Sequence, residues 1–334
     1  MKLRATTHRL AFNKPLAIAG HTFYGHDVLR VEVKHCGRTV EAEAAGVFYR
    51  GDTAEALLHE VESLPRSLDD GLDEFQRLIH RLPPGGVKNA LDWAAWQLRA
   101  DALGVPVWRL AHLNALLPRP TTVTIGVGTA AEMAEAARRL RWAPALKLKL
   151  NGQSCDPDRV RAVRAARPDA RLMVDANQGW DLHRLTDWSP IMAAQGVELI
   201  EQPLPSNDDS ALNDTQWPVP LAADESLQTV ADLPNVRRRY QIANIKLDKC
   251  GGLNEALVLI HAARMSGLRV MVGSMIGSSM AMRPAFIAGQ FADLVDLDAP
   301  LLLGSDTSPS ASYDGGFIQF RHDSLIDAGA LSDG

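Results

Sequence analysis

The sequence predicts an α/β barrel set behind an α+β segment, and three observations lead there. From about residue 120 short aliphatic or β-branched runs recur at a spacing of roughly 20 to 27 residues, and helix-patterned stretches separate most of them. Eight such runs are present, the number that closes a parallel (β/α)8 barrel. No G-x-G-x-x-G follows a strand and no Walker motif is present, which weakens the competing doubly wound open sheet.

In chain order, "HDVLRVEVKHCG" alternates like a strand and runs into a turn, and "RTVEAEAAG" follows it. Three helix-like segments come next: "TAEALLHEVES", "GLDEFQRLIHRL" and "VKNALDWAAWQLRADALG". The last has apolar positions at helical spacing and ends at a glycine. Strands first and helices after is an α+β order. The eight barrel runs are "TVTIGVG", "ALKLKL", "RLMVDA", "VELIE", "VPLAADE", "IANIKL", "LRVMVGS" and "DLVDLD". Helical stretches such as "AAEMAEAARRLRW", "DPDRVRAVRAARP" and "LNEALVLIHAARMSG" lie between them. The tail after residue 305, rich in Ser, Asp and Gly, holds no further βα unit and is expected to return to the N-terminal segment. The expected boundaries are 1–118, 119–304 and 305–334.

Composition narrows the function classes. The chain has 334 residues, 46% apolar and 22% charged, enough for a large core. A formal charge of -5 without a basic tail argues against nucleic acid and against an anionic membrane surface. There is no 18-residue apolar run, and the first residues lack the apolar centre of a signal peptide. Cys36, Cys155 and Cys250 are far apart and odd in number, so the expected compartment is the reduced cytoplasm.

Catalytic groups of such a barrel sit at the C-terminal ends of its strands. Those ends carry Lys147 and Lys149, then Asp175 and Asn177, Glu201, Asp224 and Glu225, Lys246, and finally Asp296 and Asp298. A lone strand-end carboxylate is usually a helix cap or a solvated turn residue, and a lone K-x-K a solvated face. Acids on three consecutive strands flanked by lysines form a set that those explanations do not cover. Three carboxylates without histidine suit a hard cation, Mg2+ or Mn2+ rather than Zn2+. The second and sixth strands are diametrically opposed in a ring of eight, so Lys149 and Lys246 face each other across the mouth. One lysine can remove the α-proton of a metal-bound carboxylate substrate while the other delivers a proton to the opposite face. Lys147, two residues from Lys149 on one face, is expected to tune its neighbour by like-charge repulsion.

Taken together, "KLKL", "VDANQGW", "ELIEQPL", "ADES" and "NIKLDKCGG" resemble the enolase superfamily, specifically its muconate-lactonizing-enzyme subgroup. The resemblance covers nearly the whole chain and implies an α+β capping domain, a modified (β/α)7β barrel and a C-terminal return to the cap. Residue by residue, it implies Asp175, Glu201 and Asp224 as metal ligands, normally for Mg2+. Lys149 and Lys246 match the acid/base pair, and Lys147 the partner that assists carboxylate binding. Asn177 and Glu225 stand behind the ligands. Ser274 occupies the place of the histidine base of the mandelate racemase subgroup.

Asp296 and Asp298 share a strand face and suit a substrate ammonium, as in the dipeptide epimerases that "VDLDAP" after "MVGSMI" resembles. Thr124 and the backbone at Ser274, Met275 and Ile276 match further substrate contacts of those enzymes. The implied activity is inversion at the C-terminal α-carbon of a dipeptide. N-acylamino-acid racemisation, o-succinylbenzoate synthesis, muconate-type cycloisomerisation and a non-catalytic ligand-binding barrel are the alternatives. His21 stands near the place of the arginine that binds an acidic side chain in the Ala-Glu epimerases, and Arg50 is a second candidate. Phe23, Tyr24, Phe48 and Tyr49 suit an uncharged side chain. Gly277 departs from the pattern, since many members are acidic there, and the usual C-terminal P-G-L-G stretch is missing. A small-molecule dipeptide is the expected partner, with a homo-oligomer left open.

Overall fold

A computed structural model describes residues 1–18, 21–65, 67–68 and 71–320, without the side chains of Ile18 and His21. The chain opens with an antiparallel meander, β1 (Lys2–Ile18), β2 (His21–His35) and β3 (Arg38–Ala44). Cys36 and Gly37, with φ of 48° and 79°, make the tight β2–β3 turn. Strand β1 is missing from the sequence reading. Its outward residues include Lys2, Arg4 and Arg9, and the register shift between Ala11 and Leu16 contains Pro15, so no clean alternation survives.

Four helices follow, α1 (Ala54–Glu62), α2 (Gly71–Arg81), α3 (Gly86–Ala102) and α4 (Val107–Leu110). Helix α3 is buried along almost its whole length, including Lys88, Asn89 and Asp92. One side meets the meander and the other meets the barrel helices.

After the short β4 (Arg119–Pro120) the barrel begins. Its elements are β5 (Val123–Ile125), α5 (Ala130–Arg139), β6 (Ala145–Lys149), α6 (Asp156–Ala166), β7 (Arg171–Asp175), α7 (Leu182–Ala194) and β8 (Val197–Glu201). They continue with β9 (Leu221–Ala223), α8 (Leu233–Arg239), β10 (Ile242–Lys246), α9 (Leu247–Cys250), α10 (Leu253–Met265), β11 (Arg269–Gly273), α11 (Ser279–Gly289) and β12 (Leu294–Asp296). All eight expected runs are strands, and they neighbour one another in sequence order from β5 to β12. The ends meet where Thr122 N donates to Val295 O and Thr124 N to Asp298 Oδ2. The β8–β9 crossover holds a 3-10 turn, Ser210–Leu212, in place of an α-helix, and β12 leads only to the turn Ala299–Leu302. This is the modified (β/α)7β form.

After β12, Gly304 N donates to Ala11 O and Asn13 Nδ2 to Leu301 O, so this segment touches the meander. β13 (Phe317–Ile318) then pairs with β4, and residues 321–334 lie outside the described residues.

Strand periodicity positions the functional groups. Met173, Leu199, Ala222, Ile242, Met271 and Leu294 form an apolar plug inside the barrel. Two residues further along each strand the side chain points to the same interior. Those positions are Asp175, Glu201, Asp224, Asn244, Gly273 and Asp296. A polar layer therefore lies directly on the plug.

The loops behind β6 and β7 are locked together. Asp156 accepts from Gly152 N at 2.8 Å and Trp180 Nε1 at 3.1 Å, and Arg159 bonds both Asp156 and Asn151 at 2.6 Å. Gly152 has φ of +75°, and a Cβ there would come within 2.0 Å of Gly179 O. Gly152→Ala should therefore cost about 2 kcal/mol or more, a fall in Tm of roughly 4 °C or more in a thermal melt. An unchanged Tm would show that the two loops separate freely.

Candidate active site

The polar layer is a lattice of buried ions. The Lys147 ammonium lies 2.7 Å from Asp296 Oδ2, 2.8 Å from Glu201 Oε2 and 3.2 Å from Asp175 Oδ2. Lys149 pairs with Asp175 at 2.6 Å, and Lys246 with Asp224 at 2.7 Å. Lys249, which the sequence reading passed over, bonds Asp224 Oδ1 at 2.7 Å and Asp224 O at 2.6 Å. The expectation that Lys147 acts on Lys149 as a bare like charge is corrected by this arrangement. Carboxylates surround Lys147, because an unpaired ammonium at that depth is too costly to keep. Burial by itself would lower its proton affinity, but Asp296, Glu201 and Asp175 outweigh that and hold it well above the ordinary lysine value.

The carboxylates respond in opposite directions. Burial would raise Asp175, yet Lys149 and Lys147 hold it down at about 2. Burial raises Glu201 to about 7, with Asp175 adding to the rise, and raises Glu225 to about 8, with Asp224 and Asp175 adding. Burial would lower Lys246, but Asp224 and Glu201 hold it above its ordinary value. Glu201 Oε1 accepts from Asn244 Nδ2 at 3.0 Å. Glu201 Oε2 is buried and, despite the nearby Lys147, has no hydrogen bond of good geometry.

Among the described residues no three acidic, histidine or cysteine side chains are drawn together closely enough to grip an ion as they stand. Lys147 lies between Asp175 and Glu201 instead. The donor set still fits a hard divalent cation. It consists of carboxylate oxygens, one of them without a hydrogen bond, and Asp175 adds to the rise that burial imposes on Glu201.

Above the lattice lies a cavity bordered by Lys149 and Lys246 together with Asn177, Asp224 and Glu225. Ser274, Met275 and Ile276 form one wall, while Phe23, His26, Phe48 and Tyr49 of the first 50 residues form the roof. Asn177 takes φ of 44° and donates its backbone N–H to Asp175 Oδ1 at 2.9 Å. Gln202, also unforeseen, accepts from Asp224 N and Ser226 N and so fixes the loop after β9.

Several expected substrate residues stand elsewhere. Tyr24 is 70% exposed and faces away from the cavity, because Phe23 takes the inward position beside it. Arg50 is held by Asp52 at 2.9 Å and Gln228 at 3.3 Å and does not border the cavity. The His21 side chain lies outside the described residues. Asp296 is taken up by Lys147 and Thr122 Oγ1, and Asp298 by Thr124 N at 2.6 Å. Neither aspartate borders the cavity, and both are buried. At Gly277 a Cβ would meet Ala281 Cβ at 2.8 Å, so the space for an acidic side chain is already filled.

The family described as enolase C-terminal domain-like matches residues 129–321. The chain belongs to the enolase superfamily. The L-Ala-D/L-Glu epimerase of Escherichia coli (strain K12) is 35% identical, over 90% of this chain and 93% of its own length. An N-acetyl-D-glutamate racemase of Pseudoalteromonas sp is 39% identical, over 72% of this chain and 76% of its own. An enolase family member from Agrobacterium tumefaciens with homology to dipeptide epimerases, solved with bound sodium and L-Ala-L-Glu, superposes with a TM-score of 0.91 at 34% identity. That match covers 97% of this chain and 99% of the other.

In this member of the superfamily the first strands and the barrel are joined next to a predicted catalytic lysine. Asp248, two residues after Lys246, accepts from Ala45 N at 3.1 Å and Asn89 Nδ2 at 2.9 Å through one oxygen. Burial pushes its carboxyl up to about 6. A carboxyl whose folded value is raised favours folding fully below its unfolded value of 3.8, and that contribution is lost as pH rises through about 6. Asp248→Asn keeps the accepting oxygen, so it should melt above the parent at pH 8, by at most about 3 kcal/mol. Melting curves should converge as pH falls from 6 to 4, and an advantage that persists at pH 4 would contradict this.

Proposed function

We propose that the chain is an Mg2+-dependent epimerase that inverts the C-terminal α-carbon of a dipeptide by proton transfer between two lysines. One observation carries this reading. Lys149 of β6 and Lys246 of β10, four strands apart in a ring of eight, border one cavity over the Asp175, Glu201 and Asp224 carboxylates. Asp175, Glu201 and Asp224 would hold the cation, with Mn2+ as a substitute. Bound there, it would supply charge that stabilises the negative charge developing on the substrate carboxylate as the α-proton leaves.

The chain's own residues do the rest. Lys149 and Lys246 exchange the α-proton, each on one face, so that removal by one and delivery by the other inverts the carbon. Lys147 adds fixed positive charge at the carboxylate end, while Asn177 and Glu225 border the site behind the ligands. Asp298, held by Thr124 N outside the cavity lining, would turn to meet the substrate ammonium, and Asp296 steadies Lys147. The first 118 residues act as a cap that excludes water, with 119–304 as the barrel and 305–334 as the returning segment. No helix among the described residues is long and apolar enough to cross a membrane, and the described cysteines are free thiols, which suits the cytoplasm. The Pseudoalteromonas relative favours a second reading, racemisation of an N-acylated amino acid by the same lysines.

Proton exchange in D2O, followed by mass spectrometry over a dipeptide panel, tests the chemistry. Lys149→Ala and Lys246→Ala should each lower epimerisation by about 10^3-fold or more, and Lys→Arg should be nearly as damaging because arginine is no base at neutral pH. Near-normal turnover by either alanine variant would rule out the two-lysine scheme.

Exhaustive chelation with EDTA should abolish turnover and added Mg2+ should restore it. Full activity after chelation would remove the cation from the reaction.

Free dipeptides should surpass their N-acetylated forms in kcat/KM by at least about tenfold, since acylation removes the ammonium that Asp298 would meet. The reverse preference would establish the racemase reading.

A further inference from the structure

The roof of the cavity holds a polar atom that the proposed chemistry does not use. His26, on β2, reaches the cavity with its Nε2 buried and without a hydrogen-bond partner. Much of the lining offers it little. Phe23, Phe48, Met275 and Ile276 offer no hydrogen bond from their side chains, and the Tyr49 hydroxyl accepts from Gln228 Nε2 at 3.1 Å. A buried nitrogen left without a partner is unfavourable, so a ligand group that reaches it gains from the contact.

Resting on the dipeptide reading, we propose that His26 selects the substrate side chain and favours a C-terminal residue with an uncharged hydrogen-bonding group, an amide or a hydroxyl. The position follows from the other contacts. The substrate carboxylate is drawn to the acid and lysine floor, and the α-carbon lies between Lys149 and Lys246. The ammonium end goes toward Asp298, which leaves the roof for the side chain.

The preference for an uncharged group follows from the surroundings of the imidazole. Burial holds it below its ordinary proton affinity, so it is neutral at pH 7 to 8. Of the charged groups that act on it, Asp27 would raise it, but Asp27 is paired with Arg9 at 2.7 Å. Arg50, the candidate cation of the first 50 residues for an acidic side chain, is taken by Asp52 and does not border the cavity. Amides and hydroxyls can both donate and accept, so they suit either tautomer of the ring. A carboxylate can only accept, and Phe23, His26, Phe48 and Tyr49 of the roof carry no positive charge to match its own.

L-Ala-L-Gln and L-Ala-L-Met have side chains of similar length and differ in the amide, so they make the test pair. Wild-type kcat/KM should favour Ala-Gln over Ala-Met by at least about tenfold, and Ala-Gln should also surpass L-Ala-L-Glu. His26→Phe should bring the Gln-to-Met ratio to about one or below, while His26→Asn, which keeps a hydrogen-bonding group, should restore part of it. An equal ratio in wild type and His26→Phe would overturn the proposal. A wild type that prefers Met or Glu would do so without any variant, which covers the case of a variant that fails to fold. If wild type acts only on N-acetylated amino acids, the dipeptide reading fails separately, and the same ratio on N-acetyl-Gln and N-acetyl-Met decides the role of His26.

Discussion

The structure depends on keeping charges of both signs buried at one end of a barrel. Lys147, Lys149, Lys246 and Lys249 stand against Asp175, Glu201, Asp224, Glu225, Asp296 and Asp298, nearly all of them shielded from water. Removing ions from water is expensive, and only close pairing with extra hydrogen bonds makes such a cluster tolerable. The carboxylates outnumber the ammonium groups, and burial raises the proton affinities of Glu201 and Glu225, with neighbouring carboxylates adding to the rise. A site that lacks positive charge in this way is suited to a cation and to a substrate that brings an ammonium group.

The surroundings hold this lattice in place. Asn244 and Gln202 supply neutral hydrogen bonds to Glu201 and to the loop that carries Asp224, where another charge would worsen the imbalance. Asp156 and Arg159 bind the loops after β6 and β7, and so fix the strand ends that carry Lys149 and Asp175. The N-terminal meander closes the site from above. It touches the barrel through Ala45 and Asp248, and through Glu43, whose carboxylate accepts from Ser278 N at 2.6 Å. The roof over the cavity is thereby coupled to the strand that carries Lys246.

The barrel was legible because its strands are short, aliphatic and regularly spaced, and because their C-terminal ends carry unusual polar residues. Asp175, Glu201, Asp224, Lys147, Lys149 and Lys246 all converge at one end, as a period of two along parallel strands requires. Strand β1 was not legible, because it is an edge strand whose few inward apolar residues, such as Leu3, Ala5 and Leu10, lose their alternation at the register shift that holds Pro15. Lys249, Asn244 and Gln202 were also hidden. Each looks like an ordinary polar residue near a strand end, and its importance comes from partners on neighbouring strands.

The sequence by itself determined the order of the barrel elements, the parallel sheet and the types of group at its mouth, since these follow from local periodicity and from side-chain chemistry. Only the tertiary structure decided how the charges pair and which roof residues reach the cavity. Lys147 read alone is an uncomfortable neighbour of Lys149, yet Asp296, from 149 residues along the chain, neutralises it across the barrel seam. His26 read alone is a polar residue at the start of an alternating run, yet the bulged β1–β2 pair turns it inward and leaves Tyr24 outside. Pairing across a barrel depends on distances between strands far apart in sequence, and a one-residue shift of register exchanges inside for outside. Neither quantity is written in any local stretch of residues.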